Sequence, residues 1–145
     1  MINADSPPQN LDKKIVAVLS EKLETGNALN ALAHMALGMG TILGPDQGLM
    51  CDYVDADGVH HPSISAYPFI VLKGRPTKIR EAIDVARAAG LQAVDFVNTM
   101  TVGTYKEQLD RTKATPNAEL EIYGAVFYGD FGKLNEITRK FSLYK

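Results

Sequence analysis

Three polar side chains interrupt an otherwise apolar stretch, TGNALNALAHMALGMG, over residues 25–40. They are Asn27, Asn30 and His34, spaced i, i+3, i+7. On a helix that spacing lays them along one narrow stripe. The positions around them are almost all Ala, Leu or Met, so the helix is apolar on nearly every side and is expected to be buried. A buried polar stripe needs hydrogen-bond partners, a cavity or a ligand, because an unpartnered buried polar group costs about 1–3 kcal/mol. His34 is the candidate general base of such a site. Asn27 and Asn30 would position a small polar or anionic ligand, with the free amides and partial positive charge of the helix N-terminus beside them. The structural alternative is that Asn27 serves the first-turn amides while Asn30 and His34 bond nearby backbone.

A second polar group, Asn98, Thr99, Thr101 and Thr104, follows an expected strand and projects toward the same rim. Amides and hydroxyls of this kind read a carboxylate, phosphate or amide by hydrogen bonds, and they equally serve turns and caps. Lys22, just past the first strand, is the cation that could join them. Cys51, His60 and His61 complete the reactive inventory. Their spacing, with His34, matches no compact metal motif, so no metal is expected. Cys51 with His34 or His60 is a weaker nucleophile pair, and Cys51 reads better as a small buried hydrophobe. Gly129-Asp130-Phe131-Gly132 precedes a helix but lacks the Lys-Ser/Thr of a phosphate-binding loop. It reads as a strand-to-helix turn, and no cofactor is expected.

These residues need elements to hold them. Short apolar, β-branched runs give strands at 13–20, 68–73, 93–99 and 119–128. The first, KKIVAVLS, is apolar without alternation, as in a central strand covered on both faces. Helices follow at 25 to about 38, capped by Thr25 and ended by Gly38 and Gly40; at 78–89, capped by Thr77 with Gly90 after it; and at 133–141. Residues 41–61 are irregular, with turn signals at Gly44-Pro45-Asp46 and Ala56-Asp57-Gly58 and a short strand or hairpin arm near 49–54. Residues 102–118 read as a long loop or broken helix. Residues 1–12 form an arm, and 13–145 a single domain. The alternation predicts a three-layer α/β/α sandwich on a four-stranded mixed sheet, mostly parallel, with one antiparallel pair.

Composition bounds the function. The chain has 145 residues, 46% of them hydrophobic, enough for one domain with a real core. Its formal net charge is −2, which argues against a nucleic-acid partner held by bulk charge. A single cysteine excludes an intrachain disulfide and suits a reducing, cytoplasmic setting. No signal-peptide pattern and no apolar run of about 18–20 residues appears, so no membrane partner is expected.

KKIVAVLS, the helix GNALNALAHMALG, the strand PFIVLKG with its helix, VDFVNTMTVGTY and the closing EIYGAVFYGDFGKLNEITRKFSL together resemble the type 2 peptidyl-tRNA hydrolase fold. They are most similar to an uncharacterised, mainly bacterial family of unknown function that shares that fold. The resemblance covers nearly the whole chain from Lys13, and implies the hydrolase-like fold and a homodimer. In the hydrolases the first helix opens on a Gly-Lys-x-x-x-Gln-type motif ending in His. Here Gly26 and His34 match, while Asn27 stands at the Lys position and Ala31 at the Gln position. The hydrolases' Asp-x-Gly-x-Thr-like motif corresponds to residues 96–101, which hold no Asp-Gly pair. The resemblance therefore implies a binding domain and possibly a hydrolase of another substrate; the alternatives are a peptidyl-tRNA hydrolase with divergent site residues, or a non-catalytic partner-binding module.

Overall fold

A computed structural model describes residues 11–145 of the chain. The expected N-terminal arm lies outside the described residues except for Leu11 and Asp12, and the Asp12 carbonyl accepts the Phe131 amide at 2.8 Å. The elements run β1 (Lys13–Ser20), α1 (Thr25–Gln47), β2 (Met50–Val54), β3 (His60–Ser65), β4 (Phe69–Gly74), α2 (Pro76–Ala88), β5 (Gln92–Val97), α3 (Tyr105–Lys113), β6 (Ile122–Asp130), α4 (Phe131–Thr138) and β7 (Ser142–Leu143).

The main sheet has five strands in the order β5-β6-β1-β4-β7, and β2 and β3 form a separate hairpin. β1 is the central strand, buried from Lys14 to Ser20 as its unbroken apolar run requires. Its odd-numbered residues Ile15, Ala17 and Leu19 pack with α1 through Ala28, Ala31, Met35, Met39 and Leu43. Its even-numbered residues Val16 and Val18 pack with α2 and α4 through Ile79, Ala82, Ile83 and Leu134. The result is helix, sheet, helix: three layers on two apolar cores.

The sheet departs from expectation in two ways. It has five strands rather than four, because Ser142–Leu143 pairs antiparallel with the outer edge of β4, Leu72 opposite Leu143. Two residues carry no alternation pattern; edge pairing makes them a strand. Nor is the sheet mostly parallel: β1–β4 is the single parallel pairing among the described residues. β6 inserts between β5 and β1 and runs opposite to both. The expected antiparallel return from β5 to β6 is present, and of the two readings of residues 102–118, loop or broken helix, it is the helical one that forms, as α3. Thr104 caps α3 with a reciprocal capping box to Glu107.

The opening helix differs most. It does not stop at Gly38 and Gly40 but continues to Leu43, breaking at Gly44 (φ 67°, ψ 177°) before Pro45. A helical glycine costs only about 1 kcal/mol, and burial of Met39 and Leu43 on the sheet outweighs that. Gly38 faces β5, where a Cβ would meet Val94 in ordinary contact at 3.5 Å. Gly124 beneath it is obligatory by space: a Cβ would lie 2.8 Å from Met35 Cε and 2.9 Å from the Val18 carbonyl. Thr25 is not the cap; Glu24 holds that position without a side-chain bond. Likewise α2 starts two residues earlier than Thr77 suggests, with Arg75 as N-cap and Pro76 at N1. Its end matches expectation: Gly90 (φ 74°) follows it, and the Leu91 amide reaches back to the Ala86 carbonyl at 2.9 Å.

Candidate functional site

The connections from β1 and β4 leave the sheet in opposite directions. β1 passes to α1 on one face, and β4 passes to α2 on the other. Adjacent parallel strands whose crossovers diverge leave a crevice at their carboxyl ends, where open α/β sheets bind ligands. Here the strand ends are held together by the Glu21 amide donating to the Gly74 carbonyl at 2.9 Å. A crevice of about 300 Å³ opens there, lined by Glu21, Lys73, Arg75, Lys78, Lys140 and Phe141, among others. Its floor is Gly74, over which the Phe141 ring lies so closely that any Cβ would collide.

Four cations line this space. Lys78 and Lys140 both reach Glu81, at 3.0 and 3.7 Å, and Arg75 stands 3.9 Å from Glu21. Hydrogen bonding from Lys78, with the charges of Lys78 and Lys140, holds the Glu81 carboxyl below its usual range. Lys73 makes no ion pair among the described residues. Four cations against two carboxylates leave a local excess of positive charge on a chain whose net charge is −2. An anion entering the crevice meets side-chain ammonium and guanidinium groups beside the positive end of α2.

The residues expected to form a site are distributed differently. α1 buries Ala28, Ala31, Met35, Met39 and Leu43, and this turns Asn27, Asn30 and His34 outward to solvent. The helix is therefore not buried all round. Leu37 is 73% exposed, and Leu29 and Ile42 are also out. Asn27 and Asn30 make no side-chain hydrogen bond among the described residues. His34 stacks on Phe96 of β5, ring centroids 5.4 Å apart and 19° from coplanar. Lys22 is exposed, its backbone amide bonded to Ser20 Oγ at 3.2 Å.

The second cluster does lie at the same carboxyl edge, since Val97 pairs with Ile122 as Leu19 pairs with Gly124. Its polar groups, however, are engaged within the fold. Asn98 exchanges bonds with the Glu121 backbone, its Oδ1 accepting at 3.0 Å. Thr99 is buried, with its hydroxyl 2.6 Å from that of Thr112 and its carbonyl accepting from Arg111. Thr101 donates to the Asn98 carbonyl at 2.7 Å, and Thr104 is the α3 cap.

Cys51 is half-buried in β2, across from Ile64. His61 hydrogen-bonds Asp55 at 3.1 Å and stacks on Tyr53. His34 faces β5, whereas the hairpin borders Ile15 and Phe69 of β1 and β4. The two reactive groups thus sit against different strands of the sheet. Asp130 accepts from the Lys133 amide at 2.8 Å, so Gly129-Asp130-Phe131-Gly132 is a capped strand-to-helix turn.

A family model described as a protein of unknown function, DUF2000, matches residues 13–145. The chain belongs to the DUF2000 family. No curated protein matches it. A solved structure of a protein of unknown function, Atu0240 from Agrobacterium tumefaciens strain C58, superposes with a TM-score of 0.80 at 17% identity. The match covers 94% of this chain and 100% of that one, and at that identity it speaks for the fold alone. Neither match bears on the resemblance to peptidyl-tRNA hydrolases. Sequence reading of this DUF2000 chain missed the basic crevice. The signal was partly visible as Lys73, Arg75 and Lys78, within six residues at the end of a strand and the start of a helix. Lys140 joins them only through the fold.

Proposed function

We propose that this DUF2000 domain binds a small, multiply charged anion of the phosphate or carboxylate class at the carboxyl edge of its sheet. The observation that supports this is the convergence of Lys73, Arg75, Lys78 and Lys140 on the crevice where the β1 and β4 crossovers part. Lys22 stands on the connection leaving the same edge, next to Glu21, and does not line the crevice. The reading stops at binding. His34 meets Phe96 and has no carboxylate or hydroxyl partner among the described residues, so nothing orients it as a general base.

Titration of the full chain with inorganic phosphate, pyrophosphate and citrate, followed by backbone amide shifts, tests the proposal. Shifts should centre on Gly74, Arg75, Thr77 and Lys78. Lys73→Gln with Lys140→Gln should weaken binding about tenfold or more, or at least 1.4 kcal/mol. If shifts instead follow Asn27 and Asn30 and vanish in Asn27→Ala, the ligand belongs to the N-terminus of α1. If no anion moves any of these amides, the proposal fails.

A further inference from the structure

A second cavity lies at the other end of the strands. It is enclosed by α1, the β2–β3 hairpin and the amino ends of β1 and β4, and holds about 540 Å³. Ile15, Met39 and Leu43 form its buried floor, Met50 and Ile64 its hairpin wall, and Phe69 its rim. A shallower groove continues from it along α1 past Leu37, Thr41 and Pro45, sharing Ala36, Gly40, Met50 and Ser63 with it.

The space exists because the facing residues are small, and it is held open by hydrogen bonds. Ala36 and Gly40 on α1 look across at Ser63 and Ser65 on β3. A Cβ built on Gly40 meets nothing within 4 Å. The hairpin is pinned at its base: Ser65 Oγ donates to the Gly48 carbonyl at 2.5 Å, and the Ala66 amide to the Leu49 carbonyl at 2.9 Å. It therefore cannot simply collapse onto the helix to fill the gap. Among the described residues the lining holds no charged side chain, and α1 carries no Asp, Glu, Lys or Arg from Thr25 to Pro45. Contrast α2, whose outer face carries Lys78, Arg80, Glu81, Asp84 and Arg87.

We infer that this cavity is a binding site for a neutral, elongated, largely hydrocarbon small molecule, with an alkyl or aryl-alkyl body running along the groove. Its volume falls in the range of small-molecule sites, about 300–1,000 Å³. Uncharged walls exclude an ionised ligand by the cost of desolvating it. Two methionines give the walls the adaptability that varied apolar shapes require. The concave form distinguishes this occupant from a second copy of the chain, because a flat helix face cannot reach Ile15, Met39 and Leu43 at the floor. The site is independent of the anion crevice: Ile15 and Ser20, at the two ends of β1, are about 17 Å apart at strand rise.

The neutral dye N-phenyl-1-naphthylamine, titrated into the full chain, should show saturable fluorescence enhancement at one dye per chain. Gly40→Leu fills the cavity from the helix and Ser63→Ile from the hairpin. Each should weaken dye binding at least tenfold while leaving the thermal transition in place. Val85→Ser, on the exposed side of α2, should leave it unchanged. Absence of saturation, or saturation indifferent to both filling variants, overturns the inference. So does a wild-type chain that sediments as a dimer, binds no dye, and becomes monomeric in Gly40→Leu, since that face would then be occupied by a second copy.

Discussion

At the scale of single residues, the chain places one cation where charge is costly. Lys14 lies 3% exposed on the α4 side of β1, with Nζ donating to Asn135 Oδ1 and standing 4.5 Å from the Phe131 ring centroid. No carboxylate pairs with it among the described residues, and burial lowers its pKa. A folded-state pKa below the unfolded value means that the unfolded chain binds more protons, so this contribution rises with pH through the alkaline range. Lys14→Met keeps the length and removes the charge. It should raise stability by about 1 kcal/mol and flatten that alkaline rise, measured by thermal unfolding from neutral to alkaline pH. Asp55 shifts in the same direction, but because its charged form is held by hydrogen bonds rather than penalised by burial. Its carboxylate accepts the Asp57 and Val59 amides at 2.9 Å and meets His61, and these bonds depress its pKa. The order it gives the hairpin turn is complete above the ordinary aspartate value and is lost as pH falls through the depressed one. Hydrogen exchange at the Val59 amide should quicken on that acidification in the wild type and lose the step in Asp55→Asn.

At the scale of elements, α1 decides most. Its two late glycines should respond oppositely to alanine. Gly40→Ala should stabilise by about 0.5–1 kcal/mol, because the site is helical and open. Gly44→Ala should cost about 1–3 kcal/mol, because φ 67° with ψ 177° is a glycine conformation that ends the helix. Paired denaturant titrations check both. Gly124→Ala tests the seat beneath α1, where overpacking against Met35 and the Val18 carbonyl should cost about 1–3 kcal/mol. This helix also shows where sequence patterning reaches its limit. Asn27, Asn30 and His34 do form one stripe, as their spacing requires. Periodicity gives the relative angle of two stripes but not which one faces the sheet. The face carrying Ala28, Ala31, Met35 and Met39 won the sheet, with Met35 seated against Gly124.

At the scale of the molecule, the carboxyl edge and the amino edge of the sheet carry opposite chemistries, a cationic crevice and an uncharged cavity. Both depend on distant segments closing over β1 and β4. The last of these is β7, with the Tyr144 amide donating to the Val71 carbonyl at 3.0 Å and the Tyr144 side chain packing on the α1-side core. Deleting residues 142–145 should lower the thermal midpoint and weaken anion binding together, since Ser142 lines the crevice. If the midpoint falls and binding holds, the wall is dispensable and the cations suffice. No helix among the described residues is long and apolar enough to cross a membrane.

The sequence alone determined the central strand, the alternation of strands and helices, the hairpin signals around Asp55 and the turn before α4. Each rests on local preference or on a period that a single segment displays. What the tertiary structure decided are the features built by segments far apart: β6 threading between β5 and β1, a two-residue strand stabilised only by its partner, and Lys140 brought beside Lys73. It also decided which residues of each polar group are occupied. Asn98 and Thr99 hold neighbouring backbone and α3, Asn27 and Asn30 face solvent, and the charge gathers at the strand ends. The physical reason is common to all three. Pairing partners, burial and local charge are sums over contacts across the whole fold, and no window of sequence contains them.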